Sequence, residues 1–317
     1  MSLQPVASSL NDTTFISRGL LEGSRVDGRT AKTARPIICG LRRGENRSSS
    51  EVTLGGTRVI ASVIGEISAP YEERPQEGFL TFNVEVLASA SVDWADSASR
   101  RVAPPVATRI ARILERQIRD SRAIDMESLC IIPGEKVWSL RCDIRVVEDF
   151  GNLTDAASAA ALSALLHFRR PEVTVRGASV TIHPTWERPP VALAVHHTPL
   201  TLTYACMTQA GACGIAEGGG GEILLRDPTS QEESVCTGSV SICMNAHGEL
   251  CGLHKLGGCP ISVDSLLQLV RDAAAQAPAL ISSLRNAGEV VKEEADSGEE
   301  GEKLEGGGVS WEVPRVI

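Results

Sequence analysis

The sequence predicts an α+β fold made of two similar layered halves. Three observations carry this. The chain is 42% hydrophobic but only 3% aromatic, so Ala, Val, Leu and Ile must build the interior, as suits helices packed closely on sheets. Runs of β-rich residues broken by turns precede a strongly apolar helical stretch, and that succession occurs twice. With 317 residues the chain is long enough for one large core or two smaller ones.

The elements follow in order. SRVDGRTAKTARPIICG reads as a lead-in turn and an extended run, with Asp27 and Arg29 holding the turn. EVTLGGTRVIASVIGEIS, 51–68, is a hairpin about Gly55 and Gly56. FLTFNVEVLA, 79–88, alternates apolar and polar residues as a half-buried strand does. Over 105–119 an amphipathic helix places Ile110, Ile113, Leu114 and Ile118 on one side, and Arg109, Arg112, Arg116 and Arg119 on another. SLCIIPGEKVWSLRCDIRVVED is two strands broken at Pro133 and Gly134, with Trp138 packed at a strand or a subunit contact. DFGNLTDAASAAALSALLHF, 149–168, is a helix apolar almost all round and therefore buried. Beyond it come strand-like pieces (GASVTIHP, VALAVHHTPLTLTYACM, GEILLRDP and SVSICMNAHGELCGLHKLGG) and a helix or helix pair over 261–284. His196 and His197 end a strand, and AGACGIAEGGGGE, 210–222, reads as a mobile surface loop. The expected organisation is an arm at 1–30, a first half at 31–200, a second half at 201–288 and an acidic, disordered tail at 289–317.

Charge and cysteine content narrow the function classes. The formal charge is −9, but the tail holds nine acidic against three basic residues, a net −6, so the rest carries only −3. The acidity is thus a property of the tail, and the arginine-dense stretch 100–122 leaves a nucleic-acid partner open. No apolar run approaches the roughly 20 residues that span a bilayer. The start lacks a basic segment followed by an apolar one, which points to an intracellular chain with no membrane partner. Nine cysteines, odd in number and nowhere spaced as CxxC, read as reduced thiols. Cys206 with Cys213, or Cys251 with Cys259, have His196, His197 and His254 as conceivable co-ligands, but no spacing fits a zinc pattern, so neither metal nor cofactor is expected.

Several blocks resemble the ribonuclease PH family: SRVDGR, LGGTRVIASV, IDMESLCIIPGEKVWSLRCDIRVVEDFGNLTDAASAAALSALLHFRRPEV, and the later RDP and SICMN. The resemblance runs from about 14 to 285, and within the family it is narrowest to an RNase PH-like subunit of the eukaryotic RNA exosome core. The Gly-rich insertion at 210–222 departs from the pattern. The resemblance implies the RNase PH fold, a duplicated βαβα unit like domain 2 of ribosomal protein S5. It also implies a six-membered ring of RNase PH-like subunits, capped by S1/KH proteins, that feeds single-stranded RNA to associated 3′→5′ ribonucleases. The setting it implies is rRNA and mRNA processing in nucleus and nucleolus, and also in the cytoplasm. SRVDGR would help to dock a cap protein.

Active family members attack RNA with inorganic phosphate, held by a Gly-Thr-Arg-type turn at a helix N-terminus, with two aspartates on a later strand pair. This chain reads Gly151-Asn152-Leu153 at the turn, so the phosphate-pairing arginine is a leucine. Asp155 in the first helical turn is expected to cap the free N–H groups and take the anion's seat. Asp227 matches the first catalytic aspartate but also reads as a plain turn residue before Pro228, while the second acid falls where Gly238 and Ser239 stand. Glu232 and Glu233 sit in a polar stretch and are expected to face solvent. The expectation is a catalytically inactive ring subunit, with Arg100, Arg101, Arg109, Arg112 and Arg116 as RNA-binding residues. Three readings stay open beside it. The stripe is a solvated face or pairs with a neighbour's acids; the chain is an active phosphorolytic nuclease using Arg145 or a partner's arginine; or it is a free-standing adaptor acting through its acidic tail.

Overall fold

The computed structural model describes residues 10–44, 46–90, 105–177, 179–208, 222–258 and 260–297, with side chains described only as far as 287. Gly55, at φ +60°, turns the chain between β2 (Arg47–Leu54) and β3 (Thr57–Ser68), which pair antiparallel from Leu54 opposite Thr57. On one face Val52, Leu54, Val59, Ala61 and Val63 are buried, as the period of two requires. β1 (Ile37–Gly44) extends the sheet beyond β2, and β6 (Lys136–Glu148) extends it beyond β3. β4 (Phe79–Val86) adds to β6 in parallel, while the short β5 (Cys130–Ile132) pairs with the start of β6. Trp138 lies in β6 at 1% exposure, so it is a core residue and faces no subunit contact.

Three helices accompany this sheet in sequence. α1 (Leu10–Leu21) precedes it, in the stretch read from sequence as part of an arm. It packs not on this sheet but, through Ile16 and Leu20, on Ala205, Met207 and Leu225 of the later strands. α2 (Pro105–Leu114) buries Ala107, Ile110, Ile113 and Leu114 and passes into a π-helical turn over Glu115–Asp120, so the expected amphipathic helix is present with a change of winding near its end. α3 (Leu153–His167) is rich in Ala and Ser, which lets backbones approach, and 14 of its 15 residues are buried. Ser48 and Ser50 of β2 donate to the carbonyls of Ala164 and Ala160 at 2.7 and 2.6 Å, fixing the helix on the first sheet.

The other side of α3 meets a second sheet. Beyond the short strands β7 (Arg169–Arg170) and β10 (Val191–Ala192) and the hairpin of β8 (Val173–Arg176) with β9 (Ser179–Ile182), four antiparallel strands form one sheet. They are β11 (Leu200–Thr208), β12 (Glu222–Arg226), β13 (Gly238–Met244) and β14 (Leu250–Gly257). In space they lie in the order β12-β11-β13-β14, the third and fourth joined by the last hairpin. α4 (Ser230–Val235) lies between β12 and β13, and α5 (Val263–Ser297) packs on α3, β1, β11 and β13. α3 is thus the shared middle layer of both sheets, which explains why its sequence shows no polar face. The helix α5 continues through 289–297, where disorder was expected; the insertion 210–221 and the tail from 298 lie outside the described residues.

Candidate functional site

The loop that starts α3 is built around Gly151. It sits at φ +92°, and a Cβ there would lie 2.4 Å from the backbone nitrogen of Ser230, so only glycine lets this loop touch the start of α4. Asn152 follows at φ +57° and is buried. Its backbone N–H, which opens the helix, donates to Glu233 Oε1 at 2.9 Å. Its side-chain amide donates to both Asp155 Oδ2 at 2.9 Å and Asp227 Oδ1 at 2.7 Å.

The two aspartates have unlike surroundings. Asp227, at 1% exposure, receives Arg35 through its N–H and Nε at 2.8 Å each, and through Nη2 at 2.8 Å. Arg29 Nη1 adds a bond at 2.9 Å. Burial by itself would raise this carboxyl, but the Arg35 guanidinium and the Asn152 amide hold it below the usual carboxylate range. Asp155 is hydrogen-bonded to Asn152 and Thr203 and to no arginine, though Arg35 is near enough to feel its charge. Burial drives it up to about 6, the Thr203 and Asn152 bonds oppose that, and the charge of Asp227 adds to it. Its Oδ2 also accepts the Thr203 N–H of β11 at 2.9 Å.

A second buried pair lies beside this one. Arg25, at 4% exposure, donates through Nε and Nη2 to both oxygens of Glu232, at 2.8 and 2.6 Å, and reaches the carbonyls of Arg226 and Asp227. Glu232 also accepts the Thr229 N–H at 2.9 Å, while Thr229 Oγ1 receives the Glu232 N–H at 3.4 Å, a capping box that starts α4. The turn holding these arginines is closed by Asp27, which accepts the Arg29 N–H at 3.1 Å and Arg29 Nε at 2.5 Å. The SRVDGR turn therefore docks onto the chain's own second half through Arg25 and Arg29.

Two matches decide the family. The 3′ exoribonuclease family is matched by its domain 1 over residues 33–171 and by its domain 2 over residues 206–276. The chain belongs to the 3′ exoribonuclease (RNase PH) family. It is 35% identical over 292 residues to exosome complex component RRP45A of Arabidopsis thaliana, covering 91% of this chain and 90% of that relative. It is 34% identical over 282 residues to exosome complex component rrp45 of Schizosaccharomyces pombe, covering 88% and 90%. Among solved structures it is similar to a chain of the Archaeoglobus fulgidus exosome with RNA bound to the active site, at 25% identity and a TM-score of 0.70, covering 86% of this chain and 97% of that one.

In this RNase PH fold, three expectations about the anion seat need correction. Asp155 does not cap the helix: its bonds go to Asn152 and β11, and it is Glu233 that holds the first free N–H of α3. Glu232 does not face solvent; it is 1% exposed on a short helix and paired with Arg25. Glu233 does keep its side chain open to solvent, but the carboxylate is drawn into the cleft. Burial there pushes it up to about 7, the Asn152 N–H opposing and Asp149 adding to the rise, with Arg109 and Arg35 acting against it. Asp227 does end a strand, at φ +49°, but it is also the centre of a buried ion cluster, more than a turn residue. The six residues of α4 are too few for periodicity to show, and its signal was the Thr229-x-x-Glu232 capping box.

The arginines divide. Arg109 on α2 is half-buried; burial lowers its pKa and the nearby Glu233 opposes that. Arg112 and Arg116 are exposed. His254 on β14 lies across from them: burial lowers it first, and the charges of Arg116 and Arg109 lower it further. Arg100 and Arg101 lie outside the described residues. Arg145 projects from the face of β6 opposite to the buried Ile144 and Val146 and pairs with Glu85 at 3.5 Å, away from the face that α3 covers. Leu153 is 7% exposed and belongs to the core. Gly238 and Ser239 start β13. Among the described residues no group of three or more His, Cys, Asp and Glu comes together as a metal site, and no helix is long and apolar enough to cross a membrane.

Proposed function

We propose that the chain is a non-catalytic subunit of an RNA exosome ring, one that completes the ring of RNase PH-like subunits and helps to guide single-stranded RNA toward associated 3′→5′ ribonucleases. The observation that carries it is the bond from the Asn152 N–H to Glu233. The N-terminal end of a helix draws an anion through its free N–H groups and dipole. Here a carboxylate of the same chain takes that place, and Leu153 supplies no charge to hold a competing phosphate. Asp227, the one acid in place for the chemistry, is bound by Arg29 and Arg35, and is held ionised and unable to donate a proton at neutral pH. The likeness to relatives named exosome complex components supports ring membership. S1/KH proteins as caps, and rRNA and mRNA processing in nucleus, nucleolus and cytoplasm, belong to the same proposal and rest on the family resemblance alone.

The same reading assigns Arg112 and Arg116, with Arg109, Arg100 and Arg101, to RNA phosphates. Contacts of this kind are blind to sequence and weaken with salt. The test is a reconstituted ring in which the active sites of the other RNase PH-like subunits are disabled. Inorganic phosphate should then release no nucleoside diphosphate from single-stranded RNA. Phosphate-dependent release by that ring would overturn the non-catalytic assignment.

A further inference from the structure

Two cysteines meet where β13 and β14 lose register. Pairing runs from Gly238 opposite Gly257 to Cys243 opposite Gly252, then shifts to Met244 opposite Leu250. Cys251 is the residue left over, the outward step of a β-bulge. Gly252, directly opposite Cys243, has no side chain, and a Cβ there would be 3.7 Å from the Cβ of Cys243. The register shift sets Cys251 beside this open position, within reach of the Cys243 thiol. At a bulge two residues of one strand oppose one of the other, so Cys251 lies next to the Cys243–Gly252 pair, near the roughly 4.4–6.8 Å Cα separation that a disulfide spans.

The two thiols differ in access and charge. Cys243 is 1% exposed, whereas Cys251 is half-buried and also reaches the Glu249 carbonyl at 3.8 Å. The bond from Cys243 lowers the pKa of Cys251, and that same bond, with burial, raises Cys243. By contrast, burial raises both Cys39, bonded to Ser163, and the fully enclosed Cys142. A partly accessible thiol beside a buried second thiol is the arrangement that forms a disulfide on reaction with peroxide.

We infer that Cys243 and Cys251 are a redox modification site, closing into a reversible disulfide when the chain meets hydrogen peroxide. The Cys251 thiolate attacks one peroxide oxygen; the O–O bond breaks, hydroxide leaves and takes up a proton, and Cys251 becomes a sulfenic acid. Cys243 then gives up its proton and its sulfur attacks that of Cys251. The S–O bond breaks, water leaves and the S–S bond forms. In total two thiols are oxidised, one peroxide is reduced and two waters result; a cellular thiol reverses the step by exchange. The disulfide ties edge strand β14 to β13 three residues before His254, on the strand that borders the arginine face.

The test treats the full chain, alone and in its ring, with hydrogen peroxide and then blocks free thiols before non-reducing peptide mass spectrometry. The expected product links the Cys243 and Cys251 peptides, and dithiothreitol removes it. Cys251 should react about tenfold or more faster than Cys142. In Cys243→Ser the sulfenic acid at Cys251 persists and is trapped by dimedone, whereas Cys251→Ser leaves Cys243 reduced. Oxidation of Cys251 no faster than of Cys142, or a link to any other cysteine in place of Cys243, would overturn the inference.

Discussion

Arginines appear in two settings in this chain, and the contrast shows how the family fold separates structural charge from available charge. Around Asp227 and Glu232, Arg25, Arg29 and Arg35 are bound in geometry that leaves Arg25 1% exposed at its side chain and Arg35 10%. On α2 and its π-helical turn, Arg112 and Arg116 stand in solvent. The first group spans the chain, since Arg25 and Glu232 are 207 residues apart, and holds the N-terminal turn against the second half. The second group lies along one helix and its π-helical turn, exposed to solvent.

The comparison breaks most visibly at Arg25. Arg25→Ala should leave the Glu232 carboxylate buried without its guanidinium, costing about 3–5 kcal/mol. Replacing both residues by leucine removes the stranded charge and should cost clearly less. Urea unfolding midpoints of the single and double variants measure this. A loss below about 1 kcal/mol in Arg25→Ala would mean that the pair is loose in solution and that the two groups of arginines do not differ as described.

That pair also marks what the sequence could not show. The hairpin at Gly55 and Gly56 and the all-round apolar α3 are local patterns, and both were legible. That Leu153 stands where active members carry an arginine, and Gly238 and Ser239 where they carry an acid, was inferred from position against the family pattern and belongs to the proposal. α1 was not seen, because LNDTTFISRGLL mixes polar and apolar residues without a clean stripe. Glu233 was missed for another reason. Asn152 and Glu233 are 81 residues apart, and their meeting depends on the tight approach of Gly151 to Ser230, which no local spacing encodes. The nearer carboxylate, Asp155, was the natural candidate from sequence, yet the fold turns it toward β11.

A smaller effect comes from the two aspartates that share the Asn152 amide. Asp155 has a folded pKa raised from 3.8 to about 6, so the native state binds more protons than the unfolded chain across that range. Its contribution to stability is therefore present below 3.8 and is lost as pH rises through about 6, by at most about 1.4 kcal/mol per pH unit. Asp227 is depressed, so its contribution is present above 3.8 and is lost as pH falls through its lower folded value. Asp155→Asn should flatten the stability profile between about 4 and 6 while leaving the loss at lower pH in place. Denaturant midpoints against pH give the two slopes. An unchanged slope above pH 4 would show that solvent reaches Asp155, and that the lack of a direct bond from an arginine is not what separates it from Asp227.

The exposed arginines should register least in stability and show themselves in binding. Arg112→Glu with Arg116→Glu removes no buried partner, so the unfolding midpoint should move by no more than about 0.5 kcal/mol. In the assembled ring, RNA affinity should fall, and the slope of log K against log salt should drop by about 1.4, near 0.7 for each single-strand phosphate that is no longer neutralised. Arg109 serves as the internal control. It shares the stripe but lies beside Glu233 and is half-buried, so part of its charge is already answered within the chain. Arg109→Gln should therefore change the salt slope less than Arg112→Gln does, and shift stability more. If all three positions change the slope equally, the neighbouring carboxylate does not withhold Arg109 from RNA. If none changes it, the stripe is a solvated face or pairs with acids of an adjoining subunit, which a salt titration of ring assembly would then reveal.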